Sequence, residues 1–101
     1  MVWATRMAAV GILILELKLD ACYSLKDKRH WVRGLKDRLR AAHNVSVAET
    51  EDQELWNVST VAVVTVSGSR ENAAKVLESA ERVAAGFLGP QLVSAGIDWL
   101  S

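Results

Sequence analysis

The sequence predicts an α+β domain, a four-stranded antiparallel sheet with two helices on one face, in the chain order β-α-β-β-α-β. Three observations predict it. Residues 9–19 and 58–66 have the alternation or the β-branched composition of strands. Residues 24–44 and 70–87 have the helical period, each with a single apolar arc. Finally, 101 residues that are 50% hydrophobic can bury one core and not two.

Met1 to Arg6 show no period and are expected to form a disordered leader, with a single domain over residues 7–101. From Ala9 to Leu19 the residues alternate, with Leu13, Leu15, Leu17 and Leu19 on one side and Val10, Ile12, Ile14, Glu16 and Lys18 on the other. The second side turns from apolar to charged along its length, as a central strand with one incompletely covered face would. Asp20 to Tyr23 form a loop. Ser24 followed by Asp27 marks a helix start, the hydroxyl accepting from a first-turn amide and the carboxylate favouring the positive end of the dipole. Leu25, Trp31, Val32, Leu35, Leu39 and Ala42 then share one arc, and Asn44 is placed to end the helix in the left-handed conformation.

Val45 to Glu49 is expected to be a short second strand. The following acids, Glu49, Glu51, Asp52 and Glu54, are too charged for burial, and Leu55 and Trp56 are expected to tuck their loop onto the core. Val58 to Val66 is apolar on both parities, which predicts a strand covered on both sides. Ser69 caps a helix from about Arg70 to Phe87, whose buried arc is Ala73, Val76, Leu77, Ala80, Val83, Ala84 and Phe87. Glu71 with Lys75 and Glu78 with Arg82 give its exposed side two acid-before-base pairs. Gly89-Pro90 stops it, and Leu92 to Trp99 supplies the last strand, although Gly96 inside it weakens strand pairing. Because each helix has one apolar arc, both lie on the same side of the sheet, the split βαβ or ferredoxin-like arrangement.

A formal net charge of zero conceals a separation of charge. Residues 26–40 hold seven Lys/Arg against two Asp, leaving five cations and ten acids elsewhere. Lys26, Arg29, Arg33, Lys36 and Arg40 follow one another by three or four residues, so they form a ridge on one flank of the first helix. Cys22 is the lone cysteine, which excludes an intramolecular disulfide and suits a reducing compartment, the cytoplasm. The apolar run of residues 7–15 is broken by Glu16 and Lys18, has no cleavage site after it and is too short to span a bilayer, so no membrane association is expected.

Catalytic patterns are missing. His30 and His43 lie on different sides of the helix with no ligand partner at metal spacing. Cys22 has no histidine or second cysteine beside it. The acids of residues 49–54 lack the glycine turn of a calcium loop, and Ser67-Gly68-Ser69 is not a phosphate loop. A non-enzymatic protein without metal or cofactor is expected. Lys28 is out of pattern, since it falls in the middle of the apolar arc; it either snorkels from the first turn to water or pairs with Glu49 on the neighbouring strand.

Three segments in order, Ser24-Leu25-Lys26-Asp27-Lys28-Arg29, Asn44-Val45-Ser46-Val47-Ala48-Glu49, and Asp52 to Trp56 with its Leu55-Trp56, resemble the YlxP-like bacterial proteins, a domain of unknown function. The resemblance runs from about Met7 to Leu88. It implies a ferredoxin-like fold and a cytoplasmic protein encoded in many bacteria near transcription-termination and translation-initiation factors and ribosome-binding factor A, hence a link to ribosome maturation; it implies no activity. The chain departs from that pattern in its leader and in the tail around Gly86, Gly89 and Gly96, which bears on the last strand.

The expected function is that of an RNA- or ribosome-associated factor that lays Lys26, Arg29, Arg33, Lys36 and Arg40 along a phosphate backbone, with the Ser24 end of the helix offering amides to one phosphate. Base readout on the sheet is not expected, because such sheets stack bases on aromatics and the first and third strands contain none. The alternative is a protein-interaction or homodimerisation module that uses Val10, Ile12 and Ile14 on the open face of the sheet.

Overall fold

The computed structural model describes residues 8–101; the leader expected over residues 1–6 lies outside them. Strand β1 (Ala9–Lys18) leads to helix α1 (Leu25–Ala42), then to β2 (Ser46–Glu51) and β3 (Val58–Ser67). Helix α2 (Arg70–Leu88), a 3-10 turn (Gly89–Gln91) and β4 (Leu92–Trp99) complete the chain. The sheet order is β2-β3-β1-β4 and every neighbouring pair is antiparallel. Each helix therefore carries the chain past one intervening strand, α1 past β3 and α2 past β1, which makes the fold ferredoxin-like.

The core is the layer between sheet and helices. Leu13, Leu15, Leu17 and Leu19 face Leu35 and Leu39 of α1 and Leu77, Ala80, Ala84 and Leu88 of α2, with Val47, Val61 and Val63 from β2 and β3 in the same cluster. Burial alternates along β1 in step with its sequence, so the register fixes which side chains meet the helices. On the other face Val10, Ile12 and Ile14 stand opposite Val66, Val64 and Ala62 of β3, pairings that favour β-branched residues. The helices meet along a seam where Trp31 packs against Phe87 at 5.2 Å between ring centroids, the Arg38 guanidinium covers the same ring at 3.9 Å, and His43 Nε2 and Ser79 Oγ are 2.9 Å apart.

Two local expectations are corrected. Helix α1 does not end on a left-handed Asn44. His43 takes an extended conformation at φ −144° with its amide on the Leu39 carbonyl, because β2 starts almost at once and the chain must leave the helix extended. Nor do Leu55 and Trp56 tuck into the core: they are 50% and 43% exposed. What docks is the backbone of that loop, as described below. Strand β4 forms over Leu92–Trp99 in spite of Gly96, pairing with Gly11 to Leu17 of β1 through one register shift.

Gly11 is the position on β1 where a close approach requires glycine. It lies beneath Leu77 and the Trp99 ring, and a Cβ there would come within 2.7 Å of Leu77 Cδ1 and 2.9 Å of Trp99. Leu77 is fully buried and cannot move aside freely. Gly11→Ala is predicted to destabilise the fold by about 1–3 kcal/mol through overpacking, while Gly96→Ala, whose Cβ meets nothing within 4 Å, changes stability little; urea denaturation of the two variants measures the contrast.

Candidate functional site

Helix α1 builds the site, beginning with its cap. Ser24 Oγ accepts from the Asp27 amide at 3.1 Å, and the Asp27 carboxylate in turn accepts from the Tyr23 amide at 3.1 Å. The two contacts resemble a capping box, meeting the Asp27 amide of the first turn and the Tyr23 amide before the helix. They also put a carboxylate where the sequence suggested a phosphate on Ser24, so the helix end is already occupied by a negative charge of its own.

One turn later Lys28 points inward. Its side chain is 1% exposed, and a buried ammonium is tolerated only when its charge and all three donors are met. Glu49 Oε2 lies 2.7 Å from Nζ, and the main-chain carbonyls of Asp52 and Leu55 accept its remaining donors. Glu49 is itself held, since its Oε2 accepts from Ser59 Oγ at 2.6 Å and its carbonyl accepts from Gln53 Nε2 at 3.1 Å. Lys28 therefore does not snorkel. It closes the 52–55 loop against the helix, with Asp52 turned to φ +62° to present its carbonyl. Ser59 and the two carbonyls are contributors that the sequence did not disclose. Ser59 is a small polar residue in an apolar strand, a usable signal; carbonyls have no sequence signature at all.

With Lys28 inward, the ridge is turned outward. Lys26, Arg29, Arg33 and Arg40 are exposed and Lys36 is half-buried. Among the described residues the salt bridges are Lys28 with Glu49 and Lys75 with Glu71, so none of the five ridge cations is neutralised by direct contact with a carboxylate. Arg40 spends one donor on the Val47 carbonyl at 3.1 Å, which also covers an outward-facing group of the edge strand β2. The ridge borders two grooves. One, of about 290 Å3, is lined by Arg29, Val32, Arg33, Lys36, Asp37 and Arg40 of α1 and by Glu49 of β2. The other, of about 300 Å3, is lined by Lys26, Arg29, His30 and Arg33 alone.

The other expected face is on the opposite side of the sheet. Val10, Ile12 and Ile14 are half-buried there, beside half-buried Val64 and 64% exposed Val66. Cys22 belongs to the core instead: it is 1% exposed, and burial raises its thiol pKa, as does the Asp27 carboxylate, against a smaller opposing effect of Lys28. A thiol so placed stays protonated and is a poor nucleophile. His30 is exposed, His43 is taken by Ser79, and among the described residues no three His, Cys, Asp or Glu are grouped to hold a metal ion.

Removing one partner of the Lys28 pair strands the other in a dry site. Lys28→Met is predicted to cost about 3–5 kcal/mol, and a double-mutant cycle with Glu49→Gln to show coupling above the ~0–1 kcal/mol of an exposed pair. Denaturant titration of the four proteins measures both, and additive effects would contradict the clamp.

Among curated proteins none matches the chain. Among solved structures, the de novo designed protein Foldit4 superimposes with a TM-score of 0.58 at 9% identity, over 93% of this chain and 97% of that one. The designed protein LFR1 1, with ferredoxin fold, gives 0.57 at 12% identity, over 90% and 81%. A dimeric ferredoxin-like protein of unknown function from Thermobifida fusca gives 0.50 at 18% identity, over 91% of each chain. At these identities the likeness is one of fold. In sequence, residues 10–96, from the start of β1 into β4, match the family described as protein of unknown function DUF503, and the chain belongs to that family.

Proposed function

We propose that this protein is a non-enzymatic, cytoplasmic RNA- or ribosome-associated factor that binds phosphate backbone through α1. The observation that carries the reading is the row of five cations without carboxylate partners, Lys26, Arg29, Arg33, Lys36 and Arg40, on the side of the helix turned away from the core. From first to last they span about 21 Å at 1.5 Å per residue. A row of that length follows several successive phosphates of one strand. Each contact releases condensed counterions, which is where the affinity of such an interface originates. Asp37 and Glu49 also line the groove of about 290 Å3, where Arg29, Arg33, Lys36 and Arg40 outnumber them, so the backbone follows all five cations. Ser24 contributes little, since the Asp27 carboxylate already sits at the helix start. The resemblance of the α1 and β2 segments to YlxP-like proteins supports the ribosomal direction of the reading.

Five phosphate contacts to single-stranded RNA predict a slope of log affinity on log salt of about −3.5, at about −0.7 per contact. Reversing Arg29 and Arg33 to Glu is predicted to abolish binding with the fold intact, while reversing the exposed Lys75 and Arg82 of α2 changes it little. Equal losses in both pairs would reduce the interaction to diffuse attraction, and no salt-sensitive binding of the wild type to RNA or a ribosomal subunit would overturn the reading.

A second reading rests on a separate observation, the apolar strip of Val10, Ile12, Ile14, Val64 and Val66 on the open sheet face. A contiguous strip of this kind marks a partner surface, and a second copy of the chain is the simplest partner. The Thermobifida fusca protein of similar fold is itself described as dimeric. Ile12→Glu is predicted to turn a dimer into a folded monomer in analytical ultracentrifugation; a wild-type chain that sediments as a monomer at high concentration would contradict it.

A further inference from the structure

We infer that Tyr23 and Trp56 form a stacking platform for an unpaired base of the RNA whose phosphates follow the α1 ridge, an inference that rests on the ridge reading above. The two aromatics are 33 positions apart in sequence, yet their ring centroids are 6.4 Å apart with planes inclined by 33°. Both are exposed, Tyr23 by 78% and Trp56 by 43%. Such a pair is costly to leave in water when the fold has a core to place it in. It is also rigidly mounted. Cys22, before Tyr23, is buried and donates its amide to the Leu19 carbonyl at 3.2 Å, and Ser24, after it, caps the helix. Trp56 sits between Leu55, whose carbonyl grips Lys28, and Asn57, whose carbonyl accepts from the Leu19 amide at 2.8 Å. The rings are thus presented by fixed backbone.

Position and chemistry agree on the occupant. Tyr23 lies two residues before α1, so the platform stands at the end of the ridge where Lys26 and Arg29 begin it. Aromatic faces beside a track of cations are the combination by which proteins hold single-stranded nucleic acid, phosphates on the cations and bases on the rings. The cleft at the two rings is about 190 Å3, a small opening that suits one flat base better than a base pair. Asp20 and Asn57 in its lining offer acceptors to the exocyclic amino groups of bases, and Lys18 beside them adds a cation. A duplex hides its bases and can use the ridge alone.

The test compares two fluorescein-labelled probes by anisotropy, a short mixed-sequence single-stranded RNA and its duplex with the complement. Tyr23→Ala and Trp56→Ala are each expected to weaken single-strand binding by about ten- to a hundredfold, with the salt slope and duplex binding unchanged, and Tyr23→Phe to bind as the wild type does. Both side chains are exposed, so the fold survives. Wild-type affinity for the single strand in both alanine variants, or an equal loss on single strand and duplex, would overturn the platform while leaving the ridge in place. A wild-type protein that binds neither probe would overturn ridge and platform together.

Discussion

The buried ammonium of Lys28 is the interaction that joins α1 to β2 and to the loop after it. Taking an ammonium out of water costs several kcal/mol, and the cost is offset only where a carboxylate and further acceptors surround it. Here those acceptors come from the edge strand β2 and from the loop after it, through Glu49 and the carbonyls of Asp52 and Leu55. That contact ties the acidic loop before Trp56 to α1, whose rotation it shares in fixing with the buried Val32, Leu35 and Leu39. Without it, nothing among the described side-chain contacts ties the 52–55 loop to the helix.

The consequence is a molecule whose zero net charge is divided between surfaces. The acids Glu51, Asp52 and Glu54 are exposed on their loop and do not bridge to the ridge, so the cations of α1 remain available. The open face of the sheet is apolar at the Val10 end and charged at the Glu16 and Lys18 end, and it lies on the other side of the sheet from both helices. The two surfaces do not compete for space. A pair of chains joined through their sheets would present two ridges facing outward, which makes the RNA-binding and self-association readings compatible.

The fold was legible because its signals are local. The alternation of Leu13, Leu15 and Leu17, the apolar arcs of the helices and the Ser24 and Ser69 caps each act within a few residues, and each is where the sequence put it. Lys28 stood out for the same reason, as a cation at a core angle. Its partners were only half legible: Glu49 carries a charge that sequence displays, whereas the Asp52 and Leu55 carbonyls depend on the course of a loop. That same dependence explains the misreading of Leu55 and Trp56. Their apolar character suggested burial, but the loop is anchored through its backbone, which leaves the side chains outside. The meeting of Tyr23 with Trp56 is a tertiary outcome of the same anchoring, invisible from either residue alone.

The most direct test of the central claim, that α1 is the surface that meets RNA, is a chemical-shift titration of the isotopically labelled protein with single-stranded RNA at low salt. The amides of Lys26, Arg29, Arg33, Lys36 and Arg40 and the Trp56 indole are predicted to shift together and to return on addition of salt. Shifts centred on Val10, Ile12 and Ile14, or none at all, would contradict the account.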